Sequence, residues 1–451
     1  MATPASAKID MLSGSLFKKI LLFALPLVAS GILQQSFNAV DVMVVGRFSS
    51  HQALAAVGSN GALINILINL FLGVSVGANV VISNYIGCKN EQGIRRCVST
   101  VGVIALGSGV LLTIMGLTLS RPILELMNTP DDVIDLATTY LRIYFLGMPM
   151  MMVYNFGSAI MRSMGDTRRP FYALVVGGIV NTLINLLLVI VFDMSVAGVA
   201  IATVIANTVN ASFITYWLLR ESEPFTLIPG KMKLYGAETR KMLQIGMPAG
   251  LQGMVFSIAN IFIQSAINHY GSNAIAGSSA ALNYEIYCYF IMVAFNQATM
   301  AFVSQNYGAG NYDRCRRAMW MCMAMSVVGV GAANVIITLN APIFLGFFSS
   351  DPEVIHYGVI RLEYVLLLQF IASSYEISGS ALRALGYSMT PMVMTVFGTC
   401  VLRLIWIHTV CADSNNFGLL LSIYPITWVI TGTGVLTAYF IITRRLFAKR
   451  V

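Results

Sequence analysis

The chain has 451 residues, 57% of them hydrophobic and only 10% charged, whereas a soluble protein carries about a quarter charged residues. Repeated apolar runs of roughly 20 residues exclude a water-soluble domain and predict an all-α polytopic membrane protein. The formal net charge of +8 is carried mainly by loops on one side and marks membrane orientation, not nucleic-acid binding.

The polar start, residues 1–10, is followed by a first apolar span too far in and too long for a cleaved leader, so that span is expected to remain. Twelve spans are predicted, at about 18–45, 53–82, 96–118, 136–160, 170–192, 196–219, 241–268, 274–303, 317–340, 357–381, 391–411 and 417–442. Most of the 27 basic residues then fall on one side, from Lys8, Lys18 and Lys19 to Arg444, Arg445, Lys449 and Arg450. The opposite loops hold acids such as Asp131, Asp132, Asp193, Asp351 and Asp413, with only Arg47 and Arg121 of opposite sign. By the positive-inside rule both termini are cytoplasmic and the protein is a multi-pass component of the cell (inner) membrane.

The first span ends in Gln34-Gln-Ser-Phe-Asn38-Ala-Val-Asp41. Gln34, Asn38 and Asp41 are spaced i, i+4, i+7 and share one helical face. A carboxylate within a span costs roughly 2.5–3.5 kcal/mol on insertion scales and is a functional candidate by default. Against this, Asp41 could simply cap the outer end of its helix. The fifth span carries Asn181 and Asn185 on one face, whose alternative role is hydrogen bonding between helices. In the seventh span Ser257, Asn260, Gln264 and Asn268 share a face without an acid, and the eighth reads Asn283-Tyr284-Glu285-Ile-Tyr287. The tenth contains Glu376, and Arg403 in the eleventh is the only basic residue read as deep; Glu363, Arg142 and Arg361 read as interfacial. Tyr284, Tyr287, Glu285 and Glu376 suit an amphipathic cation, because aromatic faces attract it and a carboxylate balances its charge. The competing reading pairs Glu285 or Glu376 with Arg403.

Segments about 222 residues apart match. Lys19-Ile-Leu-Leu-Phe-Ala-Leu-Pro26 pairs with Lys241-Met-Leu-Gln-Ile-Gly-Met-Pro248, and Arg162-Ser-Met-Gly165 with Arg383-Ala-Leu-Gly386. Ser83, Gly87, Asn90, Arg95 and Arg96 fall on Ser304, Gly308, Asn311, Arg316 and Arg317. Six spans per repeat make the halves parallel, related by an axis along the membrane normal, with a central cavity expected between them. The organisation expected is an amino-terminal lobe, 1–219, a cytoplasmic linker, 220–240, and a carboxyl-terminal lobe, 241–451.

Leu25-Pro26 followed by Asp41, Ala53-Leu-Ala-Ala-Val-Gly58, Arg162-Ser-Met-Gly-Asp166, Ser304-Gln-Asn-Tyr-Gly-Ala-Gly-Asn311 and Gly379-Ser-Ala-Leu-Arg383-Ala-Leu-Gly386 recur in this order along the chain. In these motifs the sequence resembles the multidrug and toxic compound extrusion (MATE) transporters. The resemblance implies export of cationic amphipathic compounds in exchange for inward H⁺ or Na⁺. It implies a cation-coupling cluster of Asp41, Asn38, Asn181, Asn185, Tyr140, Asn155 and Thr203. Gln34, Asn260, Gln264, Tyr284, Glu285, Tyr287 and Glu376 are the expected substrate-binding residues. Where the family often carries a second acid this chain has Asn185, which favours H⁺ over Na⁺ at Asp41. No cofactor or resident metal is expected; the expected partners are organic cations and the lipid bilayer, with no nucleic acid, and the protein is expected to be a monomer.

A lipid-linked oligosaccharide flippase is the alternative, and would want several deep basic residues to attract pyrophosphate. Gly73-Val-Ser75-Val-Gly77 matches a hydrolase elbow, but glycine and serine are common at helix contacts in membranes, and no enzyme is expected. The seven cysteines, scattered without metal-type spacing, read as packing residues. Met148-Pro-Met-Met-Met152 reads either as an adaptable ligand wall or as ordinary packing.

Overall fold

The computed structural model describes residues 8–127, 129–411 and 416–448; Asp413, Lys449 and Arg450 of the charge pattern lie outside them. Among the described residues eleven helices are long and apolar enough to cross a membrane, and one bent pair supplies a twelfth crossing. They are α1 (Leu16–Phe48), α2 (His51–Gly87), α3 (Glu91–Leu126), α4 (Asp131–Leu146 and Met148–Ser163), α5 (Arg168–Val191) and α6 (Ser195–Leu219). After the connection come α7 (Gly236–Asn268), α8 (Ser272–Gly308), α9 (Tyr312–Leu339), α10 (Pro352–Ala384), α11 (Met389–Thr409) and α12 (Phe417–Ala448). Each of the twelve expected spans is present, and most helices run past their apolar stretch, where polar ends still satisfy their backbone groups along the helix. Polar caps start several of them. Ser50 Oγ accepts the Ala53 amide at 3.1 Å, Asn90 Oδ1 that of Gly93 at 2.8 Å, and Asn416 Oδ1 that of Leu419 at 3.1 Å.

The break in α4 is 47° at Gly147. Pro149 opens the second half, where a missing backbone donor is tolerated. Met148 and Met152 are buried there, so two of the four methionines in that run are packing residues. A wide helical turn over Leu362–Leu366 and a tight one over Gln369–Ala372 interrupt α10. Such breaks rotate the faces that follow, and here they lie between Arg361 and Glu376.

The chain groups into two compact units, one of residues up to Asp10 with Ala29–Gly250, the other of Met11–Val28 with Leu251–Val451. Two residues after Pro26 α1 changes unit, and two residues after Pro248 α7 does so. Division by packing thus exchanges the opening turns of α1 and α7 relative to division by chain order. The first unit shows how α7 begins there. A Cβ at Gly73 of α2 would fall 2.2 Å from the Gly250 nitrogen, and one at Gly77 would fall 2.1 Å from the Met242 carbonyl oxygen. Gly246 and Gly250 meet the α2 backbone as closely, at Val74 and Leu70. Two Gly-x-x-x-Gly stripes therefore let two helix backbones touch, the usual source of van der Waals packing in lipid. This is also the role of the glycines around Ser75, whose hydroxyl donates to the Leu72 carbonyl of its own helix at 2.7 Å.

All seven cysteines are free, five of them buried, as packing residues would be.

Candidate functional site

In the first unit the phenyl ring of Phe37 fills the space where Gly178 lacks a side chain. That close approach of α1 and α5 lies one turn before Asp41 on one helix and one turn before Asn181 on the other. With the helices this near, Asn185 Nδ2 donates to Asp41 Oδ1 at 2.7 Å, and the Asn181 side chain also hydrogen-bonds to this carboxylate. The buried Oδ1 atoms of Asn181 and Asn185 have no hydrogen-bond partner. Asp41 is therefore a carboxylate flanked by two amides whose own oxygens face no protein donor. Such a set can accept a proton or a cation.

Tyr140 of α4 is buried and close enough to feel the Asp41 charge; Tyr144, one turn further on, is half-buried and feels it too. The two rings stack at 5.9 Å. Tyr144 was absent from the sequence-derived set, although its i+4 spacing from Tyr140 was a visible signal. Asn155 and Thr203 bond to their own helices, Asn155 Nδ2 to the Met151 carbonyl at 2.8 Å and Thr203 Oγ1 to that of Val199 at 3.0 Å. Gln34 and Asn38 are exposed. The structure thus brings together Asp41, Asn181, Asn185 and Tyr140, and holds Asn38, Asn155 and Thr203 apart from the hydrogen bonds to the carboxylate.

In the second unit the pairing of acids differs from the sequence reading. Glu285 is held by Arg361, not Arg403: Nε donates to Oε1 at 2.6 Å and a terminal nitrogen to Oε2 at 3.0 Å. Arg361 is 3% exposed, buried against the protein. The fork geometry of a guanidinium matches both carboxylate oxygens, and Ser278 Oγ takes a further bond at 2.5 Å. Glu376 does not pair with Arg403 either. It accepts from Asn296 Nδ2 at 2.8 Å and faces Arg383. Arg383, read as a cytoplasmic-side residue, is 7% exposed and donates to Gln252 Oε1 at 2.7 Å. Among the described residues of this unit Arg403 is thus one of three buried arginines, with Arg361 and Arg383.

Tyr284 is a packing residue whose hydroxyl donates to the Phe344 carbonyl at 2.7 Å and whose ring meets Phe344 and Phe348 edge-on. Tyr287, two residues past Glu285, is half-buried. Asn260 is exposed, and Gln264 donates to Asn268 Oδ1 at 3.1 Å on the same helix. Of the expected substrate-binding residues, then, Glu285 is matched by Arg361, Glu376 is held by Asn296, and Tyr284 is taken up in packing. No group of three His, Cys, Asp or Glu side chains that could hold a metal occurs among the described residues.

The sequence profile of the MatE family matches residues 26–187 and again 248–407. The chain is 28% identical to the probable multidrug resistance protein YoeA of Bacillus subtilis, over 85% of this chain and 84% of that protein. It is 27% identical to the probable multidrug resistance protein NorM of Thermotoga maritima, over 86% and 84% respectively. A solved structure described as MATE in the straight conformation superposes with a TM-score of 0.90 at 21% identity, covering 100% of both chains.

Proposed function

We propose that this chain, which belongs to the MatE family, is a secondary active exporter of amphipathic organic cations, exchanging them for H⁺ at Asp41. The observation that carries the reading is the Asp41 carboxylate set against the two amides of α5. The names of the Bacillus and Thermotoga relatives, probable multidrug resistance proteins, support a drug-like cargo. In the proposed cycle the ionised carboxylate attracts a cation. Protonation from outside cancels that attraction and turns the carboxyl into a donor for the amide oxygens beside it. A hard cation such as Na⁺ wants about six oxygen ligands. Asp41 with two amide oxygens supplies fewer, so H⁺ is the preferred ion and Na⁺ the alternative. One H⁺ moving inward down ~100 mV releases about 2.3 kcal/mol, equivalent to roughly fifty-fold accumulation.

The proposed protein works as a monomer in the cell membrane, with lobes 1–219 and 241–451 joined by the linker 220–240 and both termini in the cytoplasm. Everted vesicles carrying the wild type or Asp41→Asn test it, with a fluorescent organic cation added against an imposed ΔpH or Na⁺ gradient. Cation-induced collapse of ΔpH by wild type alone is the expected result. Collapse of neither gradient sinks the antiport reading; equal exchange by Asp41→Asn removes the site and leaves antiport standing.

A further inference from the structure

Arg403 of α11 is 1% exposed. Its guanidinium carbon lies 4.2 Å from the centroid of the Tyr424 ring and 5.6 Å from that of Phe256. Nε donates to Thr427 Oγ1 at 3.4 Å, whereas both terminal nitrogens are buried with no hydrogen-bond partner. A guanidinium carries five N–H donors and keeps its charge in any protein environment, and four of the five sit on those two nitrogens. Stacking on an aromatic face satisfies the charge but not the donors, which lie in the guanidinium plane and point past the ring.

The neighbouring charges do not balance it. Arg361 shares the Tyr424 ring at 5.9 Å, but it already takes both oxygens of Glu285. Glu376 accepts from Asn296 and faces Arg383. Among the described residues of this unit three arginines are buried, and Arg403 is the one whose two terminal nitrogens both lack a partner. A buried unsatisfied donor is costly, and four of them sit on this one cation.

We propose that Arg403 is the anchor of an anion subsite that receives the carboxylate or phosphate of a small organic cargo, whose apolar body meets the aromatic rings flanking the guanidinium. Two parallel N–H donors match the two oxygens of either group. The inference rests on the transport reading and extends its substrate class from plain cations to compounds that also carry an anionic group.

The test is titration of the purified full-length protein in detergent by calorimetry, with benzoate, phenyl phosphate and a short-chain phosphatidic acid as probes. Wild type is expected to bind benzoate or phenyl phosphate saturably. Arg403→Gln is expected to bind at least ten-fold more weakly, and Arg403→Lys, which keeps the charge but loses the fork, to fall between. Should Arg403→Gln fail to fold, the lysine variant carries the comparison. The proposal is overturned by no saturable binding in wild type, by undiminished affinity in whichever variant folds, or by binding confined to the lipid probe. Anion binding by a wild type that shows no cation exchange in everted vesicles would remove the antiport reading and leave this subsite; exchange without anion binding would do the reverse.

Discussion

Arg361 holds both carboxylate oxygens of Glu285, 76 positions away in the chain, from a side chain that is 3% exposed. The pair ties α10 to α8, and its partners Ser278 and Gln369 complete it: Gln369 Nε2 donates to the Glu285 backbone carbonyl at 3.1 Å. Removing one member leaves the other charge buried and unmatched, which costs about 3–5 kcal/mol, whereas replacing both by apolar groups is close to neutral. Glu285→Ala should therefore lower the unfolding midpoint in detergent far more than the joint change Glu285→Leu with Arg361→Met. Equal destabilisation by the single and double changes would show that the pair is not the stabilising contact described here.

At Asp41 the prediction concerns the ion. Asn185→Asp places a second carboxylate beside Asp41 and should move vesicle exchange from ΔpH-driven toward Na⁺-driven, since hard cations favour added anionic oxygens. Asn185→Leu, which removes the amide bonded to Asp41 at 2.7 Å, should reduce ΔpH-driven exchange roughly ten-fold, the equivalent of one hydrogen bond of about 1.4 kcal/mol to a charged group. Unchanged ion preference in Asn185→Asp would count against the amides as the determinant.

Packing in the first unit gives a sharper contrast. Gly77→Ala drives a methyl group to within 2.1 Å of the Met242 carbonyl oxygen, a backbone atom that cannot swing aside. Overpacking of this kind costs about 1–3 kcal/mol. In the same helix, Gly61→Ala meets nothing within 4 Å and should be neutral or gain up to about 1 kcal/mol from helix propensity. Thermal unfolding of the two variants in detergent should separate them by several degrees, with Gly77→Ala the lower.

The segment before α1 is pinned to the first unit. Ile9 donates its amide to the Gly165 carbonyl at 3.1 Å, and Lys8 Nζ bonds Glu221 Oε1 at 2.7 Å. Arg169 bonds the other Glu221 oxygen at 2.7 Å. Partial burial pushes the Glu221 carboxyl up, but hydrogen bonds and charge from Lys8 and Arg169 outweigh it and hold it below the usual carboxylate range. A depressed folded value contributes stability that is fully present above the unfolded value, about 4.3, and is lost as pH falls through the folded one. Exchange of the Ile9 amide, corrected for its intrinsic rate, should stay slow from pH 7 to 5 and rise only below about 4. Glu221→Gln should exchange quickly at pH 7; a variant as protected as wild type would remove Glu221 from the anchor.

Gly165 shows why the repeat in the sequence does not make the two halves equivalent. Both Gly165 and Gly386 adopt positive φ, +86° and +92°, as their matching Arg-x-x-Gly motifs suggest. Yet a Cβ at Gly165 would strike the Ile9 carbonyl oxygen at 2.4 Å, while one at Gly386 meets nothing within 4 Å. A turn conformation is local and repeats with the motif; the segment packed on it is not, because there is one amino terminus and two motifs.

The amino-half site was partly readable, since Asp41, Asn181 and Asn185 stand out as polar residues at helical spacing in apolar runs, and the structure joins all three. Asn155 and Thr203 were less readable because a half-buried amide or hydroxyl can satisfy itself on the preceding turn of its own helix, as both do.

What the sequence by itself determined was the number of spans, their duplication and the family, for these depend on run length and on motifs read along the chain. Which buried charges meet was decided only by the tertiary structure. Arg361 lies near the start of its span and reads as interfacial, but packing of α10 on α8 carries its long side chain to Glu285. That pairing, with Arg383 facing Glu376, is what leaves Arg403 without an acid. Charge pairing acts over a few ångströms between helices far apart in sequence, so no spacing within one helix encodes it.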